Sequence, residues 1–67
     1  MTSANAEQVI EKALEVVRKS GWTYAVVSEV FQEGGFWIVI VDTIVKRMKI
    51  KLDFGGNLVE IREVKPG

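Results

Sequence analysis

The chain contains an unbroken run of six apolar residues, from Phe36 to Val41, and this run constrains the fold more than any other feature. Successive side chains of a β-strand point to opposite faces of a sheet, so a strand built from this run needs apolar cover on both faces. A chain of 67 residues with one helix can cover only one of those faces. The other face must be covered by another molecule or remain exposed.

Residues 4–20 have the spacing of an amphipathic helix, with charged residues on the side opposite an apolar stripe. The stripe consists of Ala6, Val9, Ile10, Ala13 and Val17, with Leu14 and Val16 beside it. Thr2, Ser3 and Asn5 are candidate N-caps, and Gly21 is the candidate residue that ends the helix.

After Gly21 the apolar period changes from that of a helix to that of β-strands. Glycine-rich turns at 34–35 and 55–57 mark two hairpins, and the pattern predicts strands at 23–32, 36–42, 46–54 and 58–65. Short connections make neighbouring strands antiparallel. The predicted fold class is therefore α+β, with one N-terminal helix packed on a four-stranded antiparallel meander, in a single domain spanning residues 1–67.

The turns also predict the pairing register. Closing the first hairpin at Gly34-Gly35 sets Phe31 opposite Ile38 and Val30 opposite Val39. Closing the second hairpin predicts three pairs, which are Leu52 with Val59, Ile50 with Ile61, and Lys51 with Glu60.

This register divides the side chains between two faces of the sheet. The face predicted to lie under the helix carries Trp37, Val39, Val41, Met48, Ile50, Leu52, Val59 and Ile61. The outer face of the first hairpin is predicted to carry Val27, Glu29, Phe31, Phe36, Ile38 and Ile40. The outer face of the second hairpin is predicted to carry Arg47, Lys49, Lys51, Glu60 and Arg62.

With this layout the chain resembles a small PepSY-type domain, a module of peptidase propeptides and of many secreted or membrane-attached bacterial proteins. The resembling features are the helix ending at Gly21, the Glu29-Val30 pair, the segment 37–41, the segment 46–53 and the turn 55–58. The resemblance implies a binding or inhibitory module and gives no catalytic residues to carry across. Ile38 and Ile40 depart from the family pattern, which tends to place solvent-facing charge at those positions.

The composition argues against an enzyme. The chain has no His and no Cys, so the commonest general base, the usual zinc ligands and cysteine nucleophiles are absent from it. We therefore predict no catalytic residue, no metal site and no cofactor. No segment approaches the length of a membrane span and no secretion signal is recognisable, so the expected location is the cytoplasm.

An exposed apolar outer face predicts a protein partner or a homodimer. The predicted interface residues are Phe31, Phe36, Ile38 and Ile40, with Glu29 as a charge at the same surface. The alternative is a small single-stranded nucleic-acid-binding protein that uses a basic strand face for anion binding, formed by Arg47, Lys49, Lys51 and Arg62. The net charge of zero favours the protein partner.

Overall fold

The computed structural model describes residues 4–64, which form one helix and one antiparallel sheet. The elements are α1 (Ala6–Lys19), β1 (Val26–Glu33), β2 (Phe36–Asp42), β3 (Arg47–Leu52) and β4 (Leu58–Val64). The strands lie in the order β1-β2-β3-β4, and each pairs antiparallel with its neighbour. The predicted α+β fold, with one N-terminal helix and a four-stranded meander, is confirmed.

Helix α1 begins at a reciprocal cap. The Asn5 side chain accepts a hydrogen bond from the backbone N–H of Gln8, and the Gln8 side chain accepts one from the backbone N–H of Asn5. The other candidate caps, Thr2 and Ser3, lie outside the described residues. The buried residues of α1 are Val9, Ala13 and Val17, one stripe as the spacing predicts.

Most of the predicted register is confirmed. Phe31 lies opposite Ile38, and Val30 lies opposite Val39. In the second hairpin, Ile50 lies opposite Ile61 and Lys51 lies opposite Glu60, also as predicted. Gly34 and Gly35 both have positive φ, which a two-residue turn joining twisted strands requires and which glycine adopts without strain.

Two irregularities in the pairing correct the prediction. One lies between Val27 and Glu29, and it moves Val27 from the predicted outer face to the helix side, where it packs against the core. The other lies at the start of β4, so that Leu52 pairs with Leu58 and not with Val59. Because strand side chains alternate between faces, one extra residue changes which face its neighbours occupy.

The helix leaves the edge strand β4 uncovered. Helix α1 packs over β1 and β2, and the core beneath it includes Val39, Val41 and Ile50. Ile61 lies opposite Ile50 and therefore on the helix side of the sheet, as predicted. Both Ile61 and Val59 are exposed, however, so the prediction that the helix covers them is wrong. A helix with its side chains is about 10–12 Å wide, whereas four strands spaced about 4.8 Å apart span more than that.

The outer face of β2 is buried, contrary to the prediction. Ile38 is 1% exposed and Ile40 is 9% exposed, although both lie on the side opposite the helix. In the register, Ile38 lies between Phe31 and Lys51. The Nζ atom of Lys51 sits 4.7 Å from the centre of the Phe36 ring, so the aliphatic stem of Lys51 lies across this face.

We predict that Ile38→Ala lowers the free energy of unfolding by about 2–4 kcal/mol, because it removes fully buried methylene and methyl groups. Ile44→Ala is the matched control, since Ile44 is exposed and the same change there is expected to stay within about 0.5 kcal/mol. Urea unfolding followed by circular dichroism measures both. Equal stability of the two variants would show that the outer face of β2 is not part of the core.

The turn between β3 and β4 is organised by one carboxylate. The Oδ1 atom of Asp53 accepts backbone hydrogen bonds from Asn57 and Gly55, each at 2.9 Å. The N–H of Asn57 makes the largest contribution to holding the pKa of Asp53 below its ordinary value of 3.8. Because the charged form is favoured in the folded state, the resulting stabilisation is present above the ordinary pKa and is lost as the pH falls through the lowered one.

We predict that Asp53→Asn reduces the dependence of stability on pH between about pH 5 and about pH 2. An Asn side chain keeps an acceptor oxygen for the turn but carries no charge to be titrated. Urea unfolding at a series of pH values measures the effect. If the parent chain and the variant lose stability in parallel over this range, Asp53 is not one of the groups responsible.

Candidate protein-binding surface

The structure brings the predicted interface residues together but leaves little of them exposed. Glu29 lies opposite Ile40 and Phe31 lies opposite Ile38, so the predicted residues share the outer face of β1 and β2. Glu29 and Phe31 are exposed and Phe36 is half-buried, whereas Ile38 and Ile40 are buried. The exposed apolar area on this face is therefore mainly that of Phe31.

The predicted basic strip is largely balanced by charges of the same chain. Arg47 Nε lies 2.7 Å from Asp42 Oδ1, and this carboxylate raises the pKa of the Arg47 guanidinium. Arg62 Nε lies 2.8 Å from Glu60 Oε2 and lowers the pKa of Glu60 through that hydrogen bond. The strands place Lys49 opposite Arg62, beside a hollow of about 180 Å³ lined by Lys49, Lys51, Glu60 and Arg62.

The most exposed large apolar side chains among residues 4–64 lie in the turn between β2 and β3. Ile44 is 79% exposed and Val45 is 70% exposed. Sequence reasoning missed this site because it searched for apolar residues within strands. The available signal was a connection without Gly, Pro or Asn between two strands, with two consecutive β-branched apolar residues in it.

This turn is fixed by the residues that flank its tip. The backbone N–H of Thr43 donates to the carbonyl of Lys46 at 2.8 Å, and the Thr43 hydroxyl donates to the same carbonyl at 2.8 Å. The N–H of Lys46 in turn donates to Thr43 Oγ1 at 3.1 Å. Thr43 is buried and these bonds are partly buried, so Ile44 and Val45 project from a braced support.

A second segment adds aromatic side chains beside the turn. The residues that connect α1 to β1 adjoin Ile44 and Val45 around a hollow of about 290 Å³, lined by Gly21, Trp22, Thr23, Tyr24, Ile44 and Val45. Trp22 is anchored by packing against the core, whereas Tyr24 is exposed. We call the four large side chains at this end of the molecule the tip patch, namely Trp22, Tyr24, Ile44 and Val45.

Paired charges border the tip patch. The Nζ atom of Lys46 lies 5.0 Å from the centre of the Trp22 ring and 3.5 Å from Glu63 Oε2, which connects the turn to the end of β4. The Arg47 and Asp42 pair lies at the strand ends on either side of the turn. An apolar and aromatic centre with a polar rim is the composition of protein–protein interfaces.

Residues 4–64 contain no group of three or more acidic, His or Cys side chains placed to hold a metal ion. The helix that the structure describes is too short and too polar to cross a membrane.

Comparisons with protein-family models, with curated proteins and with solved structures each found no match to this chain. The resemblance to PepSY-type domains therefore stays a prediction from the sequence.

We predict that Thr43→Val lowers the free energy of unfolding by about 1–3 kcal/mol, because the change keeps the side-chain shape but leaves the Lys46 N–H without its acceptor. Exchange of the Lys46 amide hydrogen, followed by nuclear magnetic resonance, should become faster. Thr23→Val is the control, since Thr23 is exposed in the neighbouring segment. If the two variants are equally stable and the Lys46 amide is unaffected, the Thr43 hydroxyl does not brace the turn.

Proposed function

We propose that this protein is a non-enzymatic protein-binding module that docks its tip patch into an apolar groove of a protein partner. The observation that carries the proposal is the exposure of Ile44 and Val45 on a turn braced by Thr43. A flexible loop could fold its apolar side chains back onto the surface, but a braced turn keeps them in water until a partner covers them. This role agrees with the binding or inhibitory module that the PepSY resemblance implies. A protein that occupies the groove of its partner prevents other ligands from entering that groove, which is a form of inhibition.

The energetics favour a turn of this kind as an anchor. Burying an Ile or Val side chain contributes about 1.5–3 kcal/mol each. Ordering a loop on binding would offset part of that gain, but Thr43 and Lys46 already hold this turn in the free protein. Aromatic residues such as Trp22 and Tyr24 are among those that most often dominate interface energies.

The charges around the tip patch favour a protein partner over a polyanion. Lys46 is balanced by Glu63, and Arg47 is balanced by Asp42. An anionic membrane or a phosphate chain attracts surfaces with excess positive charge, which this end of the molecule does not present. A groove with an apolar floor and a polar border matches the tip patch better.

Single-stranded nucleic-acid binding on the outer face of β3 and β4 is the second candidate. Its support is the hollow lined by Lys49, Lys51 and Arg62, where two cations face each other across the strands. Against it stand the pairing of Arg62 with Glu60 and the placement of Lys51 over the Phe36 ring. Binding of this kind should weaken steeply as the salt concentration rises, whereas apolar docking should not.

Selection from a random peptide library displayed on phage tests the tip patch directly. We expect the immobilised protein to enrich apolar peptides, and their affinities can then be measured by isothermal titration calorimetry. The double variant Ile44→Asp with Val45→Asp should weaken binding about thirtyfold or more, since the loss of an interface anchor costs about 2 kcal/mol. Both changes lie on exposed residues of a turn, so the fold should persist.

Phe31→Asp is the matched control for that experiment. Phe31 is an exposed apolar residue on the outer sheet face, remote from the tip patch in the strand register. Because Phe31 also lies opposite the buried Ile38, circular dichroism first checks that the variant is folded, and peptide binding by the folded variant should then be unchanged. Loss of binding in Phe31→Asp but not in the double variant would move the docking surface to the predicted outer face. Failure to enrich any peptide that distinguishes the parent chain from the double variant would refute the proposal.

A further inference from the structure

Strand β4 is an edge of the sheet and carries exposed apolar residues. Among residues 4–64 it pairs only with β3, so its other side presents unpaired backbone groups. Leu58, Val59 and Ile61 are all exposed there, at the edge of the sheet farthest from β1 and β2, over which α1 packs. Glu60 and Arg62 alternate with these residues and lie on the outer face, opposite Lys51 and Lys49 respectively.

We infer that two copies of this chain pair antiparallel through β4 around a two-fold axis at Ile61, forming one continuous sheet with four strands from each copy. In this arrangement Ile61 lies opposite Ile61 of the second copy. Glu60 of each copy lies opposite Arg62 of the other. Glu60 already lies 2.8 Å from Arg62 of its own chain, so in the dimer these two intrachain ion pairs join into one network of four alternating charges on the outer face. The dimer also gains an apolar contact on the helix side.

The charges of β4 select this register. Paired strands related by a two-fold axis perpendicular to the sheet must be centred on a residue, because opposite side chains point to the same face. Centring on Glu60, Arg62 or Glu63 sets that charged residue opposite itself, which is destabilising. Centring on Ile61 is the arrangement that sets Glu60 opposite Arg62 and brings an apolar residue to the axis.

The other edge of the sheet is less suited to self-pairing. Strand β1 has an irregularity between Val27 and Glu29, in its first half, which interrupts a continuous ladder. Its outer face also carries Glu29 and Glu33, which would oppose each other in a pairing centred on Phe31. In β4 the irregularity lies at the start, and residues 60–64 pair regularly with β3.

Charge reversal on β4 tests the inference, first in each variant alone and then in a mixture of two variants with opposite reversals. Glu60→Arg places like charges at both cross-strand positions of a homodimer, and Arg62→Glu does the same with the opposite sign. Sedimentation of the full chain from about 1 µM to about 1 mM should show dimer formation in the parent and at least about tenfold weaker association in each variant. An equal mixture of the two variants should recover association to within about tenfold of the parent, because every Arg then faces a Glu.

Recovery of association in the mixture distinguishes an effect of the interface charges from an effect of misfolding. A variant that associates weakly because it is misfolded is not repaired by a second variant, and circular dichroism of each single variant checks its fold. The inference is overturned if the parent stays monomeric across the series, or if the mixture associates no better than its components.

Single cysteines give a second test that does not depend on the charges. The chain has no Cys, so Ile61→Cys introduces a unique thiol that lies opposite its own copy within reach of a disulfide. Mild oxidation should convert Ile61→Cys to a covalent dimer. Val59→Cys is the matched control, because the thiol is exposed but lies two residues from the axis. Equal cross-linking of both variants would overturn the register.

This inference and the proposed function fail separately. Dimer formation is measured on β4 variants with an intact tip patch, and peptide binding is measured on Ile44 and Val45 variants with an intact β4. If the Ile44→Asp with Val45→Asp chain loses dimer formation while the β4 charge variants keep it, the second copy docks on the tip patch and β4 pairing is wrong.

Discussion

The fold depends on strand β2 being buried on both of its faces. Val39 and Val41 lie under helix α1, while Ile38 and Ile40 face the other way and are also nearly inaccessible to water. One helix cannot cover two faces, and a small chain has no second layer to add. The second cover comes from long side chains of the flanking strands and of β2 itself. Lys51 contributes its aliphatic stem and Phe31 and Phe36 contribute their rings.

The position of the helix and of these long side chains determines which apolar residues stay exposed. Because α1 lies over β1 and β2, the core is complete at one side of the sheet and incomplete at the other. Ile61 pairs with the fully buried Ile50 yet is itself exposed. The edge strand is therefore the place where a second chain would bring an apolar side chain against Ile61. The alternating charges of Glu60 and Arg62 bear on the register of such pairing and on its specificity.

The tip patch has a different origin. Its exposure arises from turn chemistry, because Thr43 satisfies the backbone of Lys46 and leaves Ile44 and Val45 outside the sheet. The neighbouring Trp22 is held by the core on one side and by Lys46 on the other. The exposed side chains of the tip patch therefore have stable support beneath them, which a protein-binding surface requires.

Local sequence patterns were sufficient to predict the helix, the strands and most of the strand register. The helical stripe of Val9, Ala13 and Val17, the glycine turns and the pairs Phe31 with Ile38 and Ile50 with Ile61 all follow from periods of 3.6 and 2 along the chain. The site residues were harder to predict. Burial of Ile38 depends on side chains from other strands, and exposure of Ile61 depends on where the helix lies across the sheet.

The sequence by itself determined the fold class, the order of the elements and which residues of β2 and β3 face the helix, because these follow from alternation and turn chemistry within short segments. The tertiary structure alone decided which apolar residues stay in water. It placed one extra residue near Val27 and packed α1 over β1 and β2. It also set Lys51 over Phe36 beside the buried Ile38, and it left Ile44 and Ile61 exposed. The exposure of a side chain depends on which other elements pack against it, so it cannot be read from the local sequence pattern.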